Sequence, residues 1–243
     1  MEKKFHCAVM PQINKGWLAL VLSLLTASAV ASTLPTFEAE YTAYRYGKKL
    51  GYALLSLEAS EHKKNSYRLE YYSKVSLFYL SDKRSEISTF EYKDNTFTPQ
   101  DYRFTRTGTG SNKSTNVLFD QASGKIVVDK EPAFDWLGQF DNQIYRLDMQ
   151  KKLAQGQTDF TYQVINYRGD AREYNLKVMG KDQLTLPYGT LEGIKVNIVR
   201  INSSRETFAW FSPQLNYQLV RLQQFKDDKE QGDIQLKSFE LTK

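Results

Sequence analysis

Apolar and polar residues alternate from Phe37 almost to the end of the chain, in segments such as FEAEYTAYRY, LGYALLSLEAS, SYRLEYYSKVSLF and KRSEISTFEYK. A period of two is the period of a β-strand, whose successive side chains point to opposite faces, so each segment buries one set of residues and wets the other. Polar turns interrupt the alternation every ten residues or so, the spacing of an antiparallel all-β protein. Tyr, Phe, Val, Ile and Thr dominate the segments, in keeping with strands. Pro99, in TFTPQDYRFTRTG, lacks an amide hydrogen and is expected at an edge or a bulge. No repeat, low-complexity tract or Pro/Ser linker divides the chain, so residues 32–243 read as one domain. The expected fold is mainly β: a single large curved antiparallel sheet, or open half barrel, of about a dozen strands.

The alternation breaks once, between Glu131 and Gly156, where EPAFDWLGQFDNQIYRLDMQKKLAQG reads as a helix. Asp141 is the expected N-cap, Lys151 and Lys152 sit favourably in the last turn, and Gly156 supplies the stop. On a helical wheel Phe140, Ile144 and Leu147 share one side, whereas Tyr145, Met149 and Leu153 share nearly the opposite side. A surface helix carries one apolar stripe. Two stripes predict a helix between the sheet and a second cover, which is a layer, a loop or a ligand. With the helix across the concave face, the candidate ligand-binding residues are Trp136, Phe140, Tyr145, Met149 and Trp210. The bland alternative for all five is core packing, since aromatic residues are favoured in strands in their own right.

The first residues carry Lys3, Lys4 and Lys15 against Glu2, and then run uncharged from Trp17 to Val30. A basic segment, an apolar run shorter than the ~20 residues of a membrane-spanning helix, and the small-residue pattern Ala29-Val30-Ala31 compose a secretory signal. Cleavage is expected before Ser32, making residues 1–31 a removed leader and the mature chain periplasmic and without a transmembrane segment. Cys7 is the only cysteine and is lost with the leader, leaving His62 as the one histidine. Disulfides, thiol chemistry and cysteine metal sites are excluded together. The formal charge of +5 is spread among mixed signs along nearly every segment. Nucleic-acid binding needs basic residues gathered on one face, so it is excluded as a reading.

No motif specifies a reaction. His62, in the turn EHKKN, has no second histidine or cysteine to complete a metal or catalytic site. GTGSNKS resembles a phosphate loop only superficially, because Thr107 and Asn112 stand where that motif needs glycine. Carboxylate pairs such as Asp120 with Asp129 and Asp227 with Asp228 are available to a glycosidase-like mechanism, with nothing in their spacing to single one out. No catalytic residue, metal or cofactor is assigned.

RETFAWFSPQLNYQLVRLQQF, residues 205–225, reads as a hairpin. Phe208 and Trp210 fall on one face and Thr207, Ala209 and Phe211 on the other. Ser212 to Asn216 turns the chain, and Val220 and Leu222 are expected beside the first pair. This hairpin, the preceding LTLPYGTLEGIKV, the N-terminal YTAYRYGKKLGYALLSLE and the passage LDMQKKLAQGQTDFTYQV together resemble the bacterial exported family DUF3108, a domain of unknown function. The resemblance implies a Gram-negative envelope protein with a mainly antiparallel β fold, and carries over no catalytic residues. The expected function is a non-enzymatic periplasmic binding or carrier module for an apolar envelope component, a lipid or hydrophobic peptide. The alternatives are a carboxylate-dependent envelope hydrolase and an assembly protein acting through its sheet edges.

Overall fold

The structure, a computed structural model, describes residues 2, 33–129, 131–200 and 204–242. Apart from Glu2, the expected leader and its cleavage site at Ala29, Ala31 and Ser32 lie outside these residues. Among the described residues, fifteen strands form one open sheet. Its first limb is built by β1 (Phe37–Arg45), β2 (Lys48–Ala59), β3 (Ser66–Leu77), β4 (Leu80–Lys93), β5 (Thr96–Gly108), β6 (Lys113–Asp120), β7 (Lys125–Val128) and β8 (Phe134–Asp135), each antiparallel to the one before. The second limb begins with β9 (Phe140–Asp141) and helix α1 (Ile144–Ala154). It continues with β10 (Asp159–Ile165), β11 (Ala171–Leu186), β12 (Gly189–Arg200) and β13 (Arg205–Ser212), a 3-10 turn at Pro213–Leu215, β14 (Gln218–Lys226) and β15 (Lys229–Leu241). β15 pairs with β1, placing Tyr41 opposite Leu236 and Phe37 opposite Leu241, so the limbs join where the chain's ends meet. The strands outnumber the expected dozen, and two of the extra ones, β8 and β9, are two residues long.

β8 and β9 are also the two edges of the sheet. Only four residues separate them in sequence, so the chain steps directly from one edge to the other. Hydrogen bonds do not close the gap; packing does. Ile165 at the end of β10 is buried among Tyr102, Phe104, Val117, Phe119 and Ile126 of the first limb. The β10–β11 turn adds a Thr115 hydroxyl bond to the Tyr167 carbonyl, 3.0 Å, and a Phe104–Tyr167 ring contact at 5.2 Å. The sheet therefore curls until its two ends meet through side-chain packing, as an open scroll. Its terminal strands are two residues long, but β9 covers only Val164 and Ile165 of β10, and β11 runs beyond β10 to Leu186. Both neighbours therefore keep a stretch with one side unpaired in the sheet, the kind of edge an assembly protein would use.

Helix α1 lies within this scroll. It begins three residues beyond Asp141, with Gln143 in the cap position. Asp141 nevertheless serves the helix start, because its Oδ1 accepts from the amides of Gln143 and Ile144 at 2.8 and 2.9 Å. Gly156 ends it as expected: φ is +84°, and the amides of Gly156 and Gln157 return to the carbonyls of Leu153 and Lys152. Ile144 and Leu147 join a cluster with Phe37, Leu57, Phe90 and Phe97, whereas Tyr145, Met149 and Leu153 join Tyr162, Leu176, Val196 and Phe211. The second cover predicted by the two stripes is thus the sheet itself. A sheet this wide cannot stay flat, and its curl brings both limbs to the helix.

In the β13–β14 hairpin, Ala209 and Phe211 enter one cluster and Trp210 the other, as alternation requires. Val220 joins Trp210 as expected, but Leu222 pairs with Ala209 and packs on the opposite side. A bulge between Trp210 and Phe211 in the pairing makes Val220 the extra residue and inverts the alternation beyond it. Pro99 likewise sits at a bulge, next to the register shift between β4 and β5.

Candidate functional site

Two kinds of concavity are candidates, and the interior is neither. Where α1 meets β4 and β5 the interior is polar but occupied by its own residues. Glu86 Oε2 accepts from the Tyr102 hydroxyl at 2.8 Å and from Asn142 Nδ2 at 2.7 Å. Burial, and then the Glu86 charge, hold the Tyr102 phenol well above its ordinary value. Asp141 is fully buried, and burial raises its carboxyl from 3.8 to about 6; Glu86 adds to the rise while the Ile144 and Gln143 amides oppose it. Ser88 lies against the Asp141 carboxyl and opposes the rise, and among the described residues both polar atoms of the Gln143 amide have no hydrogen-bond partner. The Asn142 bond to Glu86 and the Gln143 and Ile144 amide bonds to Asp141 fix the helix start against the sheet.

The apolar concavity lies at the far end of α1. Leu34, Pro35 and Phe37 lead into β1 on one side; Leu57, Tyr92 and Phe97 supply the first limb; Leu147 and Ala154 come from the helix; Leu215, Phe239 and Leu241 close the wall. The cleft holds about 190 Å³. Local structure fixes each wall: the Leu34 amide donates to the Tyr67 hydroxyl at 3.1 Å, Thr36 and Thr242 exchange bonds across the termini, and the Phe37 and Phe239 rings stand 5.8 Å apart. Lys151 stands beside it, its ammonium 5.7 Å from the Tyr92 ring and bonded to the Asn95 carbonyl. Gln150, Asn216 and Gln218 are the remaining polar members. An apolar cavity of about 150 Å³ takes one benzene-sized guest, and whole drug-sized ligands need roughly 300–1,000 Å³. The cleft suits one ring or one short alkyl segment.

A second groove, about 920 Å³, runs over β3 to β7 and is lined by Arg68, Asp101, Arg103, Asn116, Leu118 and Asp129 among others. Two of its carboxylates are engaged locally, Asp101 accepting from Thr89 and Asp129 from Asn116, and Glu131 is the third in its lining. Asp120 closes its own turn through Ser123 and Ala122, and the Ser123 hydroxyl bond, with the amides, lowers its carboxyl below the usual range. Asp227 and Asp228 form the β14–β15 turn, both at positive φ. His62 is an exposed turn residue whose amide meets Ser60 Oγ. Among the described residues, no cluster of His, Cys, Asp and Glu is arranged to hold a metal.

The five sequence candidates do not converge on either concavity. Tyr145 and Met149 are core, with Tyr145 against the rings of Tyr162 and Tyr174 at 5.7 and 5.5 Å. Phe140 bridges the two core clusters and meets Tyr162 edge-on. Trp136 packs on Phe119, and its indole donates to the Gln139 carbonyl at 2.9 Å. Trp210 is buried, donates to Asp182 at 2.8 Å, and has Arg221 and Lys195 over its ring at 5.0 and 5.3 Å. The cleft residues went unnoticed because six stretches far apart in sequence supply them, each too short to carry a pattern of its own.

The scroll has a solved counterpart. A beta-barrel-like protein of domain of unknown function DUF1849 from Brucella abortus superposes with a TM-score of 0.58, at 12% identity, over 87% of this chain and 99% of that one. A protein from Bacteroides fragilis described as exported and of YmcC-like fold is 13% identical over 86% of this chain and 97% of its own, at a TM-score of 0.34 too low to add to the fold. No curated protein matches the chain. The family model for the protein of unknown function DUF3108 matches residues 36–235, from the first residue before β1 to the middle of β15. The chain belongs to the DUF3108 family.

Proposed function

We propose that the chain is a non-enzymatic binding module of the periplasm, which receives the apolar end of an amphiphilic envelope molecule in the cleft between α1, β1 and the 3-10 turn. The observation that carries this reading is the cleft itself, walled by Leu, Phe and Pro side chains with the Lys151 ammonium beside it. Apolar concave sites with a few placed polar groups are the usual form of small-ligand sites. The volume sets the guest: a ring or chain end enters, and the remainder of the molecule stays outside near Lys151. The reading keeps the apolar ligand expected from the sequence and moves its seat from Tyr145 and Met149 to the helix's opposite end. Export is supported by the basic and apolar N-terminal segments, and among the described residues no helix is long and apolar enough to cross a membrane.

Native mass spectrometry of protein purified without detergent tests the site. One bound apolar molecule per chain is expected. Ala154, exposed at the cleft's rim, offers a substitution that fills the space without disturbing the core. Ala154→Trp is expected to weaken retention about tenfold or more, the loss of one buried apolar group; equal retention by the variant would place the guest elsewhere. For the leader, N-terminal sequencing of protein recovered from the periplasm is expected to begin at Ser32, and a chain beginning at Met1 would contradict cleavage.

A further inference from the structure

The hairpin between β3 and β4 ends in Leu77-Phe78-Tyr79-Leu80, and Phe78 and Tyr79 are 93% and 97% exposed. Leu77 pairs with Leu80, so the two rings fill a two-residue turn. Such turns favour Gly, Asn or Asp because central positions need positive φ. Asp94-Asn95 and Asp227-Asp228 follow that rule in this sheet, whereas Phe78 sits at φ +53°, a costly angle for a bulky residue. Two exposed rings on a strained turn stabilise nothing within the fold, and their use lies outside the chain.

The tip is also braced. Thr109 of the β5–β6 loop accepts from the Ser81 amide at 2.8 Å, donates its hydroxyl to the Tyr79 carbonyl at 3.4 Å, and bonds the Ser81 carbonyl with its own amide at 3.0 Å. Gly108 permits this approach, since a Cβ there would lie 2.1 Å from the Ser81 oxygen. Behind the tip stand cations. Lys74 and Lys83 face each other directly across β3 and β4, and in the next row Arg84, Arg106 and Lys113 align across β4, β5 and β6. Adjacent rows point to opposite faces, so positive charge flanks the hairpin on both. Like charges placed directly opposite destabilise a sheet. Asp82 bonds both arginines, and none of the three lysines has a salt bridge among the described residues.

We propose that this hairpin docks on an anionic lipid surface, with Phe78, Tyr79 and the flanking leucines at the boundary between headgroups and acyl chains and the cation rows against lipid phosphates. Aromatic rings settle at that depth, and basic residues near it are drawn to anionic lipid. The cleft opens at the other end of β4, by Tyr92, so the proposal stands or falls independently of the cleft ligand.

The test is sedimentation of the purified chain with vesicles of phosphatidylglycerol and phosphatidylcholine in equal parts, against phosphatidylcholine alone. Binding to the anionic vesicles only, released by high salt, is expected. Phe78→Ser/Tyr79→Ser and Lys74→Glu/Lys83→Glu should each bind about tenfold more weakly or worse, with thermal melting not lowered because the residues are exposed. Tyr79→Trp should shift its emission to the blue on the anionic vesicles. Wild-type chain left in the supernatant, or serine and glutamate variants that sediment like it, would overturn the proposal. So would a serine variant that keeps vesicle binding and loses a protein partner captured from envelope extract, which would make the tip a protein-docking site.

Discussion

Met149→Ala is expected to remove about 2–5 kcal/mol of folding stability, read as a lower denaturant midpoint with an unchanged slope. Met149 is fully buried on the side of α1 that meets the second limb, among Tyr162, Leu176, Val196 and Phe211. Alanine removes those contacts and leaves a cavity that the helix, fixed at its start by Asp141 and at its end by Gly156, cannot close by moving. Met149→Leu keeps the volume and should cost less than about 1.5 kcal/mol. If Met149 instead lined a ligand space, alanine would enlarge that space at small cost to stability. A loss under about 1 kcal/mol would therefore contradict a helix sealed between the two limbs.

Asp141 should give the protein an inverted acid response. Its folded-state value of about 6 lies above the ordinary 3.8, because burial penalises the charged form. Between these values the folded chain holds a proton that the unfolded chain releases. Stability from this group is thus fully present below about pH 4, falls as pH rises, and is lost by about pH 6, a change on the order of 3 kcal/mol. Asp141→Asn keeps an Oδ1 to accept from the Gln143 and Ile144 amides but carries no charge. Its stability relative to wild type should be similar near pH 4 and should rise toward pH 7, measured by denaturant unfolding at each pH. Asp141→Ala, which leaves both amides unpaired, should be destabilised at both ends of the range. A wild-type-to-Asn difference that does not vary with pH would contradict a buried, reluctant carboxylate.

Much of the scaffold was legible because period-two alternation is a strong local signal. Thr207, Ala209 and Phe211 separate from Phe208 and Trp210 by parity alone, and Gly156 ends α1 because only a residue tolerant of positive φ fits there. Bulges broke that legibility. One extra residue at Val220 puts Leu222 on the side opposite to the one alternation predicts, and no residue type announces it. The two stripes of α1 were visible, but what covered the second stripe was not, because the curl of a sheet is a property of many strands at once. The tip at Phe78-Tyr79 escaped for a different reason: it contains none of the residues that mark turns, so Phe78 read as the end of a strand and Tyr79 as part of the connection that follows. The cleft was least legible of all, since Leu34, Ala154, Leu215 and Leu241 meet only after the scroll has closed.

The central claim is that the concave face is filled by α1 and that an apolar group is received only at the helix's far end. Methyl-resolved NMR with leucine labelling and a short-chain fatty acid addresses both parts together. The methyl signals of Leu34, Leu57, Leu147, Leu215 and Leu241 are expected to shift on titration, while those of Leu153, Leu176 and Leu219, sealed in the second cluster, stay in place. Shifts centred on Leu153, Leu176 and Leu219, or no shift at any leucine, would contradict it.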